Sequence, residues 1–468
     1  MPASLRVMAA DLGASNGRCI LGEYDGSRVT FRQIRRFGIA PVRIGESLYW
    51  NPLQFLDEIK SAVAGCVKVG LPPDTISIDS WAQDFGLITR NGTLLGLPHC
   101  YRDPYTAGSY RMLEKRIGME RIFGSCGVVP FPGSTLPQLV AQTTREPWIA
   151  DCADSLLFIP NLLYYFMSGV VSCDYTLASF TSLYDNFARR WHGGLIGGLG
   201  LPAIFPEAKE PGQVIAETDE SFSAEAGCRM KIVLGAGHDT LSAFFASPGS
   251  MDRDTIVISS GTWSMLLGAV EKPLTEYNPA QPFYNTLGPD GRPVLCRGVT
   301  GLWILQQCMK QWRAEDPSLT YESLARKAAS FAADAWFDAD SPELSLSADM
   351  CATVRRLCEE NGSGSVKNRQ EIYLSILNSL ARKYAQVVGD FERVTGAHIE
   401  KIRVVGGGAR NPVLTALTEK HTGRQVLTGP FEATSIGNIL CQLIALGEIR
   451  RTDIPQLIPD IEEEGSPL

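Results

Sequence analysis

No run of apolar residues in this chain is long enough to cross a bilayer. The most apolar stretch, Leu156–Met167, is broken by Pro160 and Asn161 and falls short of the ~20 residues that a spanning helix needs. Basic blocks are missing as well: 43 Lys and Arg stand against 51 Asp and Glu, for a formal net charge of −8. That balance argues against nucleic acid or an anionic membrane as a partner. Histidine is scarce, and the five copies at 99, 192, 238, 398 and 421 have no zinc-ligand spacing. Twelve cysteines are scattered without one CxxC pair, so they read as reduced thiols. No G-x-x-x-x-G-K-[ST] occurs, and no G-x-G-x-x-G follows a strand; P-loop enzymes and dinucleotide dehydrogenases drop out. Arg6 and Asp11 interrupt the first apolar residues, unlike a secretory signal, and a cytoplasmic protein is expected.

What the chain does have is length and glycine. Its 468 residues are too many for one core, so two domains are expected. Met8–Arg18 reads MAADLGASNGR, and about 245 residues later Ile256–Ser264 reads IVISSGTWS. Each follows a strand pattern, turns on small residues and returns as a second strand. Such turns offer bare N–H groups and hydroxyls to a phosphate. A third cluster, Val404–Asn411 (VVGGGARN), follows a strand and precedes the helix start Asn411-Pro412. Two similar turns and a glycine platform suggest a nucleotide held by two related domains.

Strand and helix signals alternate throughout, which defines an α/β fold. Leu5–Met8, Arg18–Tyr24 and Val29–Phe37 read as an antiparallel meander turning at Asp25–Gly26. Asn51–Val69 has helical spacing through Leu53, Leu56, Ile59, Val63 and Val67. Gln370–Thr395 is a long amphipathic helix with Ile372, Ile376, Leu380, Tyr384, Val388 and Phe391 in one stripe. Residues 105–245 read as largely helical, and residues 338–368 as a loop.

Individual residues then invite chemistry. Asp11 ends an apolar strand, where an acid has no packing purpose; beside phosphates it would suit a hydrated magnesium ion. Gly13 and Gly17 let the chain approach a polyphosphate, and Arg18 could offset its charge. Gly13–Gly17 also spells G-x-S-x-G, but too few strands precede Ser15 for a nucleophile elbow. Asp239, in Gly237-His238-Asp239-Thr240, lies between a strand and an apolar helix. It reads either as an N-cap or as a carboxylate that accepts a hydroxyl proton late in phosphoryl transfer. At that helix end it is expected to be ionised near neutrality. Ser80–Phe85 mixes Trp81 with polar groups, and Tyr101-Arg102-Asp103 follows; these look like polyol-recognising groups, or a surface ion pair of Arg102 with Asp103.

Together these segments resemble the FGGY carbohydrate kinases of the sugar kinase/actin/chaperone ATPase superfamily. AADLGASNGR, IDSWAQDFGLI, GLPHCYRD, GHDTLSA, SSGTWS, GLWILQ, VVGGGARN and GPFEATSIGNI occur in the family's order over nearly the whole chain. The resemblance implies two ribonuclease-H-like domains around a central cleft, 1–246 binding sugar and 247–468 binding nucleotide. It implies ATP and Mg2+ as cofactors and Asp239 as the catalytic base. Ala82, Gln83, Asp84, Arg102, His238, Thr240 and Gly298 would line the sugar pocket. Ala14, Ser15, Asn16, Gly17 and Arg18 would meet the phosphates, and Gly261, Thr262, Gln306, Gly407 and Gly408 the rest of the nucleotide. Asp11 would stand near the metal. The expected reaction is phosphorylation of a ketose at its C1 hydroxyl, with L-rhamnulose the first candidate. L-fuculose, L-xylulose, L-ribulose and D-xylulose are the alternatives, and a nucleotide-binding regulator on the same scaffold is the rival of another class. Departures from the pattern cluster in the sugar pocket: Gly298 and Ser134 replace expected Asn residues, and Ala82 replaces a glycine.

Overall fold

The computed structural model describes residues 4–331, 334–458 and 462–463. The chain divides into two compact units that are not consecutive halves. The first comprises Met1–Pro248, Glu271–Leu295 and Thr434–Leu468; the second comprises Gly249–Val270 and Cys296–Ala433.

The first unit is built on a mixed sheet with Leu5–Leu12 near its centre. Its order is Gln213–Glu217, Lys231–Leu234, Thr75–Ser80, Leu5–Leu12, Asn16–Tyr24, Val29–Gly38 and Glu462–Glu463. The expected meander is present: Leu5–Leu12 pairs antiparallel with Asn16–Tyr24, which pairs antiparallel with Val29–Gly38. Asp25 closes the second turn, its Oδ1 accepting from Ser27 N and Arg28 N at 2.8 Å each. Thr75–Ser80 joins on the other side in parallel, so Asp11 has Arg18 and Asp79 as its two lateral neighbours.

Alternation along the strands decides what covers each face. Met8, Ala10, Leu12, Ile76 and Ile78 pack with Phe55, Ile59 and Val63 of the helix Pro52–Lys68. Asn51 caps that helix, accepting from Gln54 N at 3.4 Å. Its buried stripe is Pro52, Phe55, Ile59, Ala62, Val63 and Cys66, whereas Leu53 is 58% exposed. The expected stripe was therefore misphased at its start, because Leu53 lies about 100° round from Pro52. The opposite sheet face meets the helix Ala433–Ala445: a Cβ on Gly22 would stand 2.9 Å from Ile439 Cδ1 and 3.1 Å from Val7 Cγ2.

The second unit repeats the motif of a hairpin flanked by a parallel strand. Thr255–Ser260 pairs antiparallel with Trp263–Ala269 and parallel with Lys401–Val405, which pairs parallel with Gln425–Thr428. The helix Arg369–Thr395 buries all six stripe residues, Ile372 through Phe391. Residues 338–368 are not simply a loop. They contain the helices Pro342–Ser345 and Met350–Glu360, the second capped by Asp349. Its buried side Met350, Cys351, Val354, Leu357 and Cys358 is helical in period but includes two cysteines, which pack as small hydrophobes. Residues 105–245 also hold the strands Ala153–Phe158 and Gln213–Glu217 among their helices, and the strand expected before Asp239 is present as Lys231–Leu234. Among the described residues no two cysteines are joined in a disulfide. Among the described residues, no helix is long and apolar enough to cross a membrane.

Candidate active site

Three carboxylates of the first unit form one electrostatic group. Asp11 is 5% exposed and receives Arg18 Nε at 2.9 Å and Nη2 at 2.6 Å, both on Oδ2. Ser435 Oγ approaches the same oxygen at 3.4 Å. Asp79 is fully buried; Asn438 Nδ2 donates to its Oδ2 at 2.6 Å, and its Oδ1 has no hydrogen-bond partner among the described residues. Burial and the nearby Asp11 hold the Asp79 carboxyl well above the usual carboxylate range. Sequence reading passed over Asp79 because it is one more residue on a buried strand.

Asp239 opens the helix Asp239–Phe245, with His238 rather than Asp239 in the capping position. Thr240 donates to Asp239 Oδ1 twice, from N at 2.5 Å and from Oγ1 at 3.1 Å. Burial, then the charge of Asp11, push the Asp239 carboxyl up to about 6, so it is a stronger base than its helix position alone predicts. It is still mostly ionised at pH 7. His238 Nε2 lies 3.5 Å from Asp239 Oδ1. That contact is not an ion pair, because burial drives the imidazole down to about 3 and keeps it neutral. The ring stands edge-on to Phe180 with centroids 4.3 Å apart.

The helix Ala433–Ala445 supplies the polar lining behind these acids. Ser435, Asn438 and Gln442 recur at three- and four-residue spacing, the signature of one helical face. Gln442 Nε2 donates to Asn438 Oδ1 and to the Met8 carbonyl at 2.9 Å each, while Thr75 Oγ1 donates to Gln442 Oε1 at 2.6 Å.

The Ser80–Asp84 turn holds the next set. Gln83 has φ +91°, a strained value for a residue with a Cβ. Its carbonyl accepts from Thr135 Oγ1 at 2.9 Å. Asp84 is fully buried among four donors: Trp50 Nε1 at 2.5 Å, Trp81 Nε1 at 2.8 Å, Tyr101 N at 3.2 Å and Gln138 Nε2 at 2.7 Å. Burial lifts its carboxyl to about 7 against the pull of those donors. With so many N–H groups satisfied, Asp84 acts as the hub that fixes the indoles of Trp50 and Trp81, whose rings lie 4.5 Å apart. Ala82 is buried and Gln83 half-buried. Arg102 is not paired with Asp103: its Nη2 donates to the Ala14 carbonyl at 3.0 Å. Asp103 instead accepts from Leu48 N and Tyr105 N and contacts His99 Nδ1.

Ala14, Ser15, Asn16 and Gly17 form the tip of the first hairpin, closed by Gly13 N on the Asn16 carbonyl at 3.0 Å. This is strand–turn–strand, so Ser15 is not on a nucleophile elbow. A side chain at 17 would stand 2.6 Å from Phe37 Cε2. In the second unit, Gly261 and Thr262 form the corresponding tip, with Gly261 N on the Trp263 carbonyl at 2.9 Å and Thr262 exposed. Gly301 fits against it so closely that a Cβ there would lie 2.6 Å from the Trp263 carbonyl carbon. Leu302 N then reaches the Gly261 carbonyl at 2.8 Å and opens the helix that carries exposed Gln306. Gly406, at φ +74°, starts the turn with exposed Gly407 and with Gly408, whose missing side chain leaves room for Ser260. Tyr384 ties the strands together, its hydroxyl 2.6 Å from Ser264 Oγ. Gly298 is exposed in the strand Pro293–Thr300 and belongs to the second unit, whereas the other sugar-pocket candidates belong to the first.

Two hairpin-bearing sheets with these features define a sugar-kinase fold. The structure matches a xylulose kinase from Lactobacillus acidophilus with TM-score 0.78 at 15% identity, covering 96% of this chain and 91% of that one. It matches Plasmodium falciparum glycerol kinase with ADP at TM-score 0.76 and 13% identity, covering 97% and 92%. Residues 7–246 match the N-terminal domain of the FGGY family of carbohydrate kinases, and residues 256–446 match its C-terminal domain. The chain belongs to that family and is a carbohydrate kinase. Its similar proteins include the rhamnulokinase of Halalkalibacterium halodurans, 30% identical with 94% of each chain covered. A rhamnulokinase of Klebsiella pneumoniae is 32% identical, covering 95% of this chain and 91% of its own.

Proposed function

We propose that this kinase transfers the γ-phosphoryl group of ATP to the C1 hydroxyl of L-rhamnulose. One observation carries the sugar: similarity to proteins named rhamnulokinase extends over more than nine-tenths of the chain at 30–32% identity. In the reaction the C1 oxygen forms a bond to the γ-phosphorus as the bond to the β,γ-bridging oxygen breaks. The hydroxyl proton passes to Asp239, and ADP departs. A carboxylate held near 6 is well matched to that late proton transfer. His238 and Thr240 flank the sugar, and Ala82, Gln83, Asp84 and Arg102 shape its pocket, Asp84 through the two indoles it fixes. Ala14–Arg18 take the phosphates, and Gly261, Thr262, Gln306, Gly407 and Gly408 take the rest of the nucleotide. The place of work is the cytoplasm, where ATP is supplied.

The acids fit a hydrated divalent ion rather than a directly chelated one. Among the described residues no three His, Cys, Asp or Glu side chains are grouped to ligate a metal, yet Asp11 stands close enough to Asp79 and Asp239 for its charge to raise the proton affinity of both. Asp11 would hold Mg2+ through water. The ion, when bound, supplies neutralising charge for the phosphates.

Activity should fall on the acid side as Asp239 protonates. At saturating substrates, kcat is expected to halve near pH 6 and to drop about tenfold per unit below it. A kcat flat down to pH 5 would reject the base.

The sugar is tested with purified enzyme on L-rhamnulose, L-fuculose, L-xylulose, L-ribulose and D-xylulose, read by coupled ADP release. L-rhamnulose is expected to give the highest kcat/KM. Gly298, Ser134 and Ala82 favour the second reading, another ketose, and a higher kcat/KM for any of the other four would establish it.

A further inference from the structure

The turn that presents Asp239 is clamped from behind by a buried carboxylate–hydroxyl pair. Asp174 is fully buried and caps the short helix Tyr175–Ala178, its Oδ1 accepting from Thr176 N at 2.9 Å and Leu177 N at 3.2 Å. The same oxygen accepts from Gly237 N at 3.4 Å, which lies 63 residues further along. Thr176, also fully buried, donates its hydroxyl to Asp174 Oδ1. A hydroxyl has one proton; with it spent on Asp174, the Thr176 oxygen is left to accept, and His238 N donates to it at 3.2 Å. Successive N–H groups of Gly237 and His238 are thereby both fixed from one side. On the other side Ser80 N donates to the Gly237 carbonyl at 2.9 Å. The residue after His238 is Asp239.

The clamp also explains the glycine at 237. A Cβ there would overlap Asp174 Oδ2 and lie 2.6 Å from Leu177 Cδ1. Burying a carboxylate costs stability, and Asp174 Oδ2 has no hydrogen-bond partner among the described residues. A caps-only role for a four-residue helix does not call for a fully buried acid that reaches across to the Asp239 turn.

We infer that Asp174 and Thr176 are positioning residues for phosphoryl transfer, holding the Gly237–His238 backbone so that Asp239 meets the acceptor hydroxyl in the reactive geometry. This rests on the proposed role of Asp239. Loss of the Thr176 hydroxyl leaves His238 N unsatisfied and lets the turn relax without touching either substrate. A small displacement of a catalytic group lowers the rate by about 10- to 100-fold while binding is spared.

The test is a comparison of Thr176→Val, which keeps the shape, with Thr176→Ser, which keeps the hydroxyl. Thr176→Val is expected to lower kcat about 10- to 100-fold with the KM values for ketose and ATP within roughly twofold; Thr176→Ser is expected to restore kcat to within about threefold. A wild-type kcat in Thr176→Val, or equal losses in both variants, would overturn the positioning role. Should Thr176→Val fail to fold, Asp174→Asn preserves volume and an acceptor oxygen but weakens the charge-assisted bonds. It is expected to lose about tenfold in kcat alone, and an unchanged kcat there overturns the proposal. Wild-type inactivity on every ketose would instead remove the proposed function, so the two failures read differently.

Discussion

Asp239→Asn is expected to lower kcat by about a thousandfold while the protein binds nucleotide within roughly twofold of wild type and melts no earlier. The amide keeps the shape of the carboxylate and can still accept from Thr240, so the local fold has no reason to change. What it loses is the ability to take a proton. The stability arm follows from the direction of the pKa. In the folded protein Asp239 is held near 6, above its ordinary 3.8. The folded state therefore binds the proton more tightly than the unfolded chain does. That contribution is complete below about pH 4 and is lost as pH rises through 6. At neutral pH the ionised side chain, next to Asp11, weighs against folding, and the amide relieves it. A coupled assay, nucleotide titration calorimetry and thermal unfolding together check this. Near-normal turnover removes Asp239 from the chemistry, whereas a collapsed Tm would make it a structural residue.

The legible part of this protein is what repeats locally. The first meander, the helix at 52–68 and the six-residue stripe of Arg369–Thr395 all follow from period-two and period-3.6 patterns. The two small-residue hairpin tips were readable because glycine and serine cluster where backbones must approach closely. Misreadings arose where the pattern used unusual residues, as in Met350–Glu360, whose apolar side depends on Cys351 and Cys358. Other features were invisible because their partners are far away in sequence. Asp79 meets Asn438 across 359 residues, and Thr75 meets Gln442 across 367. No local window pairs a strand near the start with a helix near the end. Arg102 is a related case: its neighbour Asp103 suggested an ion pair, but its Nη2 donates to the Ala14 carbonyl, 88 residues back in sequence. Asp174 likewise resembles an ordinary cap until Gly237 is placed beside it.

That helix near the end also sets the second large effect, in the substitution Gly437→Ala. Ala is ordinarily a better helix former than Gly, by ~1 kcal/mol, so propensity alone predicts a gain. Packing predicts the reverse. A Cβ at 437 would overlap the Ser242 carbonyl oxygen and lie 2.7 Å from its carbon and 2.9 Å from Ser242 Oγ. Ser242 belongs to the helix that begins at Asp239, and its hydroxyl donates to the Thr434 carbonyl at 2.9 Å. The two helices thus touch backbone to backbone, and the Ser242 carbonyl, unlike the Ser242 hydroxyl, cannot swing aside. Relieving the overlap must push the helices apart, drawing Asn438 away from Asp79 and the Asp239 helix away from Thr434. The expected cost is about 3 kcal/mol, a Tm lowered by roughly 6–12 °C, and a kcat reduced more than about tenfold even where the protein remains folded. Gly197→Ala is the matched control, since Gly197 is helical and its added Cβ would meet nothing within 4 Å. There the propensity term should act alone, leaving turnover unchanged and Tm equal or higher. If Gly437→Ala behaves like Gly197→Ala in both assays, the contact between the two helices is not what holds Asp239 in place.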